Sequence, residues 1–290
     1  MTAEEHHESV EVTPPGDQAD ETVDGSTRAR RFLAEEVFYR FLFVVSFFLV
    51  WQVSAMTVVA GLLPTPFETY EAMVEIVNSG LFIDSMLNTI RRVAIPFVAA
   101  WGASVVIGVA MGIDDRAEKY FDVAVILGLT IPGLAWAVIS IMFFGLSQFT
   151  AYFAVFITIL PMITINFWEG VKDIDMQLTE MGEVFNFSRL RNIRHVLLPQ
   201  LYPYMFSAGR FGLGLAWKVV VLVEFLGMGN GVGYQIGLEF SNFDMAAVLA
   251  WTGLFTLVML VIEYGGFKYL ERRYLAWRPE VGIRSQRREA

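Results

Sequence analysis

The sequence contains no cysteine, which excludes disulfides, thiolate metal sites and cysteine nucleophiles. Histidine is scarce: His6 and His7 stand in an acidic N-terminal stretch, His195 in a basic one, and none lies within an apolar run. Only 18% of the 290 residues are charged, against about 25% in a soluble domain. No G-x-x-x-x-G-K-[ST] occurs, so the chain carries no P-loop. Metal-ligand clusters, paired carboxylates, nucleic-acid patches and a convincing internal repeat are also missing. Residues 1–27 hold eight acids and no Lys or Arg. With Pro14-Pro15 and no apolar periodicity, this stretch is expected to be disordered. It does not read as a signal peptide, whose first residues would be basic. The net charge of −9 belongs to this tail, because the remainder carries 22 acids against 21 bases.

Apolar residues make up 55% of the chain, and 25 of them are Phe. A helix needs about 20 apolar residues to cross the hydrocarbon core. The runs 41–63, 93–113, 123–146 and 149–168 reach that length without a charge. Two more, 205–226 and 245–264, carry Arg210, Lys218 and Glu224, and Glu263, respectively. Helices apolar on every face for this long are not surface helices of a soluble protein. The expectation is an all-α polytopic membrane protein of about six transmembrane helices. With the N-terminus inside, the outer segments 64–90, 147–148 and 227–244 contain no Lys or Arg, while 17 of the 21 basic residues fall inside. The positive-inside rule then places both termini in the cytoplasm. Arg91 and Arg92, at the outer start of the second span, are read as snorkelling to headgroups.

The charges within the fifth run need a reason, since an intramembrane charge usually faces the bundle interior or a water-filled cavity. Arg210 lies near enough to the inner surface to snorkel. Lys218 is nearer mid-span and either attracts an anionic solute or pairs with another helix. Glu224 is six residues further on, about 240° round the helix, so the two do not share a face. Trp217, Lys218 and Glu224 are the candidate pathway residues. The glycine run Gly227, Gly229, Gly231, Gly233 stops short of G-x-G-x-x-G at Tyr234 and reads as a tight turn.

The longest inner loop, 170–202, has helical signals. Asp175 can cap a helix with Leu178, Met181, Val184 and Phe185 at helical spacing. Asn186 tolerates the left-handed conformation that ends a helix. Ser188 can cap a second short helix bearing Leu190, Ile193 and Leu197, which Pro199 and Pro203 close. Such a helix–turn–helix either lies on headgroups or docks on a partner.

The run EMGEVFNFS at 180–188, followed by Ile193 and Leu198-Pro199, resembles the "EAA" loop in permease subunits of binding-protein-dependent ABC importers. Asn186 stands at the usual Gly, Phe187 at the usual Ala, and Met181-Gly182 replaces two alanines. Asn88-Thr-Ile-Arg-Arg92 resembles the start of that family's core domain. Ile131-Pro-Gly-Leu-Ala-Trp136, Leu213-Gly-Leu-Ala-Trp217, Glu224-Phe-Leu-Gly227, Gly231-Val-Gly-Tyr234 and Leu270-Glu-Arg-Arg273 are similar to its nitrate/sulfonate/taurine branch. The resemblance covers about 84–273. It implies a type I importer transmembrane fold in the prokaryotic cytoplasmic (inner) membrane. It also implies a pair of permeases, a homodimer or a dimer with a second permease, served by two cytoplasmic ABC ATPases and an extracytoplasmic binding protein. ATP would be used by the partners, with no cofactor bound by this chain. Glu180, Met181, Gly182, Phe185, Asn186, Ser188, Ile193 and Pro199 would then form the ATPase-coupling loop.

The expected organisation is an acidic disordered tail at 1–30, a first span and outer loop at 31–83, a permease core at 84–273 with the coupling loop at 170–202, and a basic tail at 274–290. Arg284, Arg287 and Arg288 in that tail suit anionic lipid. The branch handles small, often anionic solutes. An ion-coupled secondary carrier, the main alternative, would show inverted repeats with broken helices, and an intramembrane enzyme would need His or Cys in its spans.

Overall fold

The computed structural model describes residues 17–57, 62–267, 269 and 273. The chain forms two compact units, Met1–Pro66 and Phe67–Ala290.

The first unit is built on one long helix, α1 (Asp17–Thr57). The helix begins inside the stretch expected to be disordered. After Pro14-Pro15 no further proline interrupts the backbone, and Asp17, Asp20 and Glu21 sit at a helix N-terminus, where the macrodipole favours acids. Residues 1–16 lie outside the described residues. Val37–Thr57 is the membrane-length portion. Trp51 stacks on Phe48 and donates its indole N–H to the Pro64 carbonyl at 3.0 Å.

The second unit contains α2 (Pro66–Asn78), α3 (Leu81–Ile113), α4 (Asp115–Thr130), α5 (Gly133–Phe144), α6 (Gln148–Lys172), α7 (Met176–Val184), α8 (Arg189–Asn192), α9 (Leu198–Gly227), α10 (Val232–Ser241) and α11 (Met245–Val261). Among the described residues, five helices of the chain are long and apolar enough to cross a membrane, and α4 with α5 supplies a sixth if counted as one span. That pair corrects the expectation of a straight helix over 123–146. The two helices meet at 98°. The cause is Pro132, whose ring forces Ile131 out of the helical region to φ −73°, ψ 122°.

α6 is the hub of the unit and packs on α3, α4, α5 and α9. Its face Ala151, Ala154, Val155, Ile159 and Ile163 is fully buried. Lipid is as apolar as these side chains, so close approach and polar glue hold such helices together. A Cβ at Gly108 of α3 would stand 2.6 Å from the Cβ of Phe167, so glycine is what lets α3 and α6 touch backbones. Nearby, Thr164 donates to Ser104 at 3.1 Å across the same interface.

Candidate functional site

Three places in the second unit concentrate the residues with chemistry to offer. The inner loop is a compact helical hairpin. The Asp175 carboxylate accepts the N–H of Gln177 at 2.8 Å, capping α7, and the Ser188 hydroxyl accepts that of Arg191, capping α8. Asn186 between them has φ 52°. The Phe187 N–H donates to the Gly182 carbonyl at 2.9 Å, the wrap-around bond of a Schellman turn. Gly182 is buried, and a Cβ there would lie 3.0 Å from Asn192 Oδ1, so α7 and α8 pack directly through it. The Asp175 N–H donates to Gln200 Oε1 at 2.8 Å and ties the hairpin to α9. Pro199 and Pro203, expected to close the second short helix, instead lie within helix, Pro199 in the first turn of α9 and Pro203 further inside it; the π-helical turn that precedes α9 replaces the regular bonding that the missing N–H of Pro199 would interrupt. Glu180 is exposed. Met181, Phe185 and Ile193 are exposed as well, with Leu190 alongside at 75%. A π-helical turn, Ile193–Leu197, joins α8 to α9 without a break, giving one helical rod over Arg189–Gly227.

The second place is a groove of about 830 Å³ lined by Gly133, Thr158, Arg210, Gly214, Lys218 and Glu263, among others. Residues 210, 214 and 218 of α9 recur every four positions and so share a face. Arg210, expected to snorkel, instead pairs with Glu263 at 3.0 Å. Both are half-exposed, so the pair adds little to stability. Lys218 is exposed in the groove, and no ion pair involves it among the described residues.

The third place is a buried polar knot at the outer end. Glu224, in the last turns of α9, accepts from Arg92 Nη1 at 2.7 Å, from the Gly233 N–H at 2.9 Å and from the Thr89 hydroxyl. The same hydroxyl accepts the Val232 N–H at 2.9 Å. Arg92 Nη1 also donates to the Asn230 carbonyl at 2.7 Å, Nη2 to Asn230 Oδ1, and Nε to Gln148 Oε1 at 2.8 Å. Arg92 is 1% exposed and Glu224 0%. The glycine turn now has a cause. Gly231 has φ 106°, and a Cβ on it would overlap the Glu224 carboxylate. A Cβ on Gly233 would lie 2.7 Å from that of Glu224. The N-terminus of α10, with its free N–H groups, is thus brought onto a carboxylate.

One sequence expectation changes here. Arg92 does not snorkel; it turns inward because Glu224 needs a counter-charge, while Arg91 is exposed. As expected from their spacing, Lys218 and Glu224 lie on different faces of α9; Trp217 goes with Glu224. Trp217 and Glu224 are seven residues apart, two helical turns, and both face the core. Trp217 is 4% exposed and meets Phe255 edge-on at 5.9 Å. Lys218 is rotated about 100° from Trp217 into the groove. Thr89, Gln148 and Asn230 were not singled out as site residues. The one available signal was Glu224 itself, a carboxylate in a span that requires a partner.

Residues 102–275 match the family described as binding-protein-dependent transport system inner membrane component. The chain is 30% identical over 233 residues to the putative aliphatic sulfonates transport permease protein SsuC of Bacillus subtilis, covering 79% of this chain and 83% of that one. It is 31% identical over 185 residues to the nitrate import permease protein NrtB of Leptolyngbya laminosa, covering 63% and 66%. Among solved structures, the inward-facing MetNI methionine ABC transporter aligns with a TM-score of 0.56 at 20% identity, covering 68% of this chain and 97% of that one.

Proposed function

The chain belongs to the family of binding-protein-dependent transport system inner membrane components, the permease subunits of ABC importers, and on that premise we propose how its parts divide the labour. Two permeases pair, as a homodimer or with a second permease, and enclose the groove that contains Lys218. Two cytoplasmic ATPases supply the energy, and this chain binds no nucleotide or other cofactor. An extracytoplasmic binding protein delivers the solute. Family membership sets aside the ion-coupled carrier.

One observation carries the coupling role. The α7–α8 hairpin is capped and turned by local hydrogen bonds, yet it leaves Met181, Phe185, Leu190 and Ile193 exposed. An apolar patch on an otherwise ordered hairpin marks an interface. The occupant is the ATPase, with Glu180 placed beside the patch to accept a charge-assisted hydrogen bond. The solute is a small anion. Lys218 offers an ammonium that makes no ion pair among the described residues in the groove, and the relatives' names specify sulfonates and nitrate.

The test is purification of the tagged permease with its ATPase and binding protein. Wild-type complex should retain the ATPase and hydrolyse ATP faster with loaded binding protein. Glu180→Ala together with Phe185→Ala should lose the ATPase while the permease stays folded. Retention at wild-type level would show that the hairpin lies on lipid instead.

A further inference from the structure

We propose that Arg92 and Glu224 are positioning residues of the transport cycle: their buried knot clamps the outer end of a helical rod whose inner end is the α7–α8 hairpin. The proposal rests on the reading of that hairpin as the ATPase dock.

The rod is one helix of 39 residues, Arg189–Gly227. At 1.5 Å per residue it is about 58 Å long and reaches from one membrane surface to the other. Along its middle it packs on α6, with Gly212 set against Ile163, and it buries the apolar Ala208, Ala216, Val219, Val220 and Val223. Apolar contact is non-directional, so it holds packed helices together while specifying their register less strictly than hydrogen bonds do. A push at the inner end is passed on most faithfully when the outer end is held in a single register.

The knot provides that register. It joins α9 through Glu224 to α3 through Thr89 and Arg92, to the first residue of α6 through Gln148, and to α10 through Val232 and Gly233. Four of the five N–H donors of Arg92 have acceptors. These bonds are directional, and those among Thr89, Arg92, Glu224, Val232 and Gly233 are buried while Gln148 and Asn230 close the knot from its exposed rim, so the outer ends of α3, α9 and α10, with α6 joined at the rim, are held in one arrangement. Holding the fold together would not by itself call for an ion pair. Apolar side chains of like volume often stabilise a buried site equally well, whereas polar groups specify one arrangement.

The experiment uses the full complex with ATPase and binding protein. In one variant Arg92→Met and Glu224→Leu are combined, removing both charges at similar volume; in the other Thr89→Val removes only the hydroxyl. Assembly and thermal stability are measured beside basal and binding-protein-stimulated ATP hydrolysis and solute uptake. We expect the double variant to assemble and to keep basal hydrolysis, while the ratio of stimulated to basal activity falls at least about fivefold, the lower range for an allosteric coupling. Thr89→Val should lower the ratio in the same direction. A ratio unchanged in both variants overturns the proposal. So does failure of both to assemble, since the knot would then serve folding alone. A wild-type complex that does not retain the ATPase removes the premise, a result distinct from either.

Discussion

Arg92 of α3 and Glu224 of α9 meet at 2.7 Å with neither side chain reaching solvent, although 132 residues separate them in the chain. Each belongs to a motif that the sequence presents separately: Thr89 and Arg92 to the start of the core, Glu224 and Gly231 to the end of the fifth span and its turn. The structure makes them a single unit.

Breaking one side of the pair should be worse than removing both. Glu224→Leu alone strands the Arg92 cation without a counter-charge, a defect of about 3–5 kcal/mol. Thermal unfolding of the detergent-solubilised protein should fall markedly for this variant and recover most of the way when Arg92→Met is added. Equal melting temperatures for single and double variants would contradict the pairing.

The glycine turn supplies its own control. Gly231→Ala adds a methyl group at φ 106° and drives it into the carboxylate of Glu224. The strain alone is about 1–3 kcal/mol. Gly229, two residues earlier, has nothing within 4 Å of a built Cβ. Gly229→Ala should therefore melt with the wild type and Gly231→Ala well below it.

Asn186 sits at φ 52°. Glycine adopts this conformation freely, and a β-branched residue resists it. Asn186→Gly should retain the ATPase at wild-type level. Asn186→Val should distort the turn by about 1–3 kcal/mol of strain and lower ATPase retention in pull-down, leaving the melting of the membrane bundle unchanged. Equal retention by the two variants would remove the turn from the docking geometry.

Lys218 makes no ion pair among the described residues, so its loss should not unfold anything. Lys218→Met is expected to leave thermal stability unchanged and to weaken anion uptake about tenfold in apparent affinity, equivalent to ~1.4 kcal/mol. Lys218→Arg should keep most of the uptake. Wild-type transport by Lys218→Met would move the solute path away from this side chain.

Because the chain has no native cysteine, single cysteines can map its sidedness directly. Cysteines at Ser79 and Asn242 should react with an impermeant thiol reagent from outside, and one at Ser188 only from the cytoplasm. Outside labelling at Ser188 would invert the arrangement and place the hairpin where no ATPase can reach it.

The caps and the turn of the inner hairpin were legible in the sequence, whereas the end of its second helix was not, because Pro199 and Pro203 sit inside a helix that runs on into α9. Asp175 and Ser188 cap their helices and Asn186 takes the left-handed turn, because each depends on hydrogen bonds within three or four residues. The bend between α4 and α5 was missed for a related reason. The hydropathy of 123–146 is uniform, and the information lay in one residue, Pro132, whose effect on Ile131 is steric. The basic tail at 274–290 lies outside the described residues.

The sequence by itself determined that this chain belongs in a membrane, how many spans it offers and where its surface hairpin turns. Those features follow from the solvent preference of side chains and from short-range backbone geometry. Only the tertiary structure decided what becomes of the charges in the spans. A helix presents each residue to one direction, and what stands there is set by packing. α3 and α9 both lie against α6, which brings Arg92 to Glu224; the segment after α11 lies against α9 and pairs Glu263 with Arg210, while Lys218 is left facing the groove. In a medium without water, a charge takes the partner that the fold places within reach.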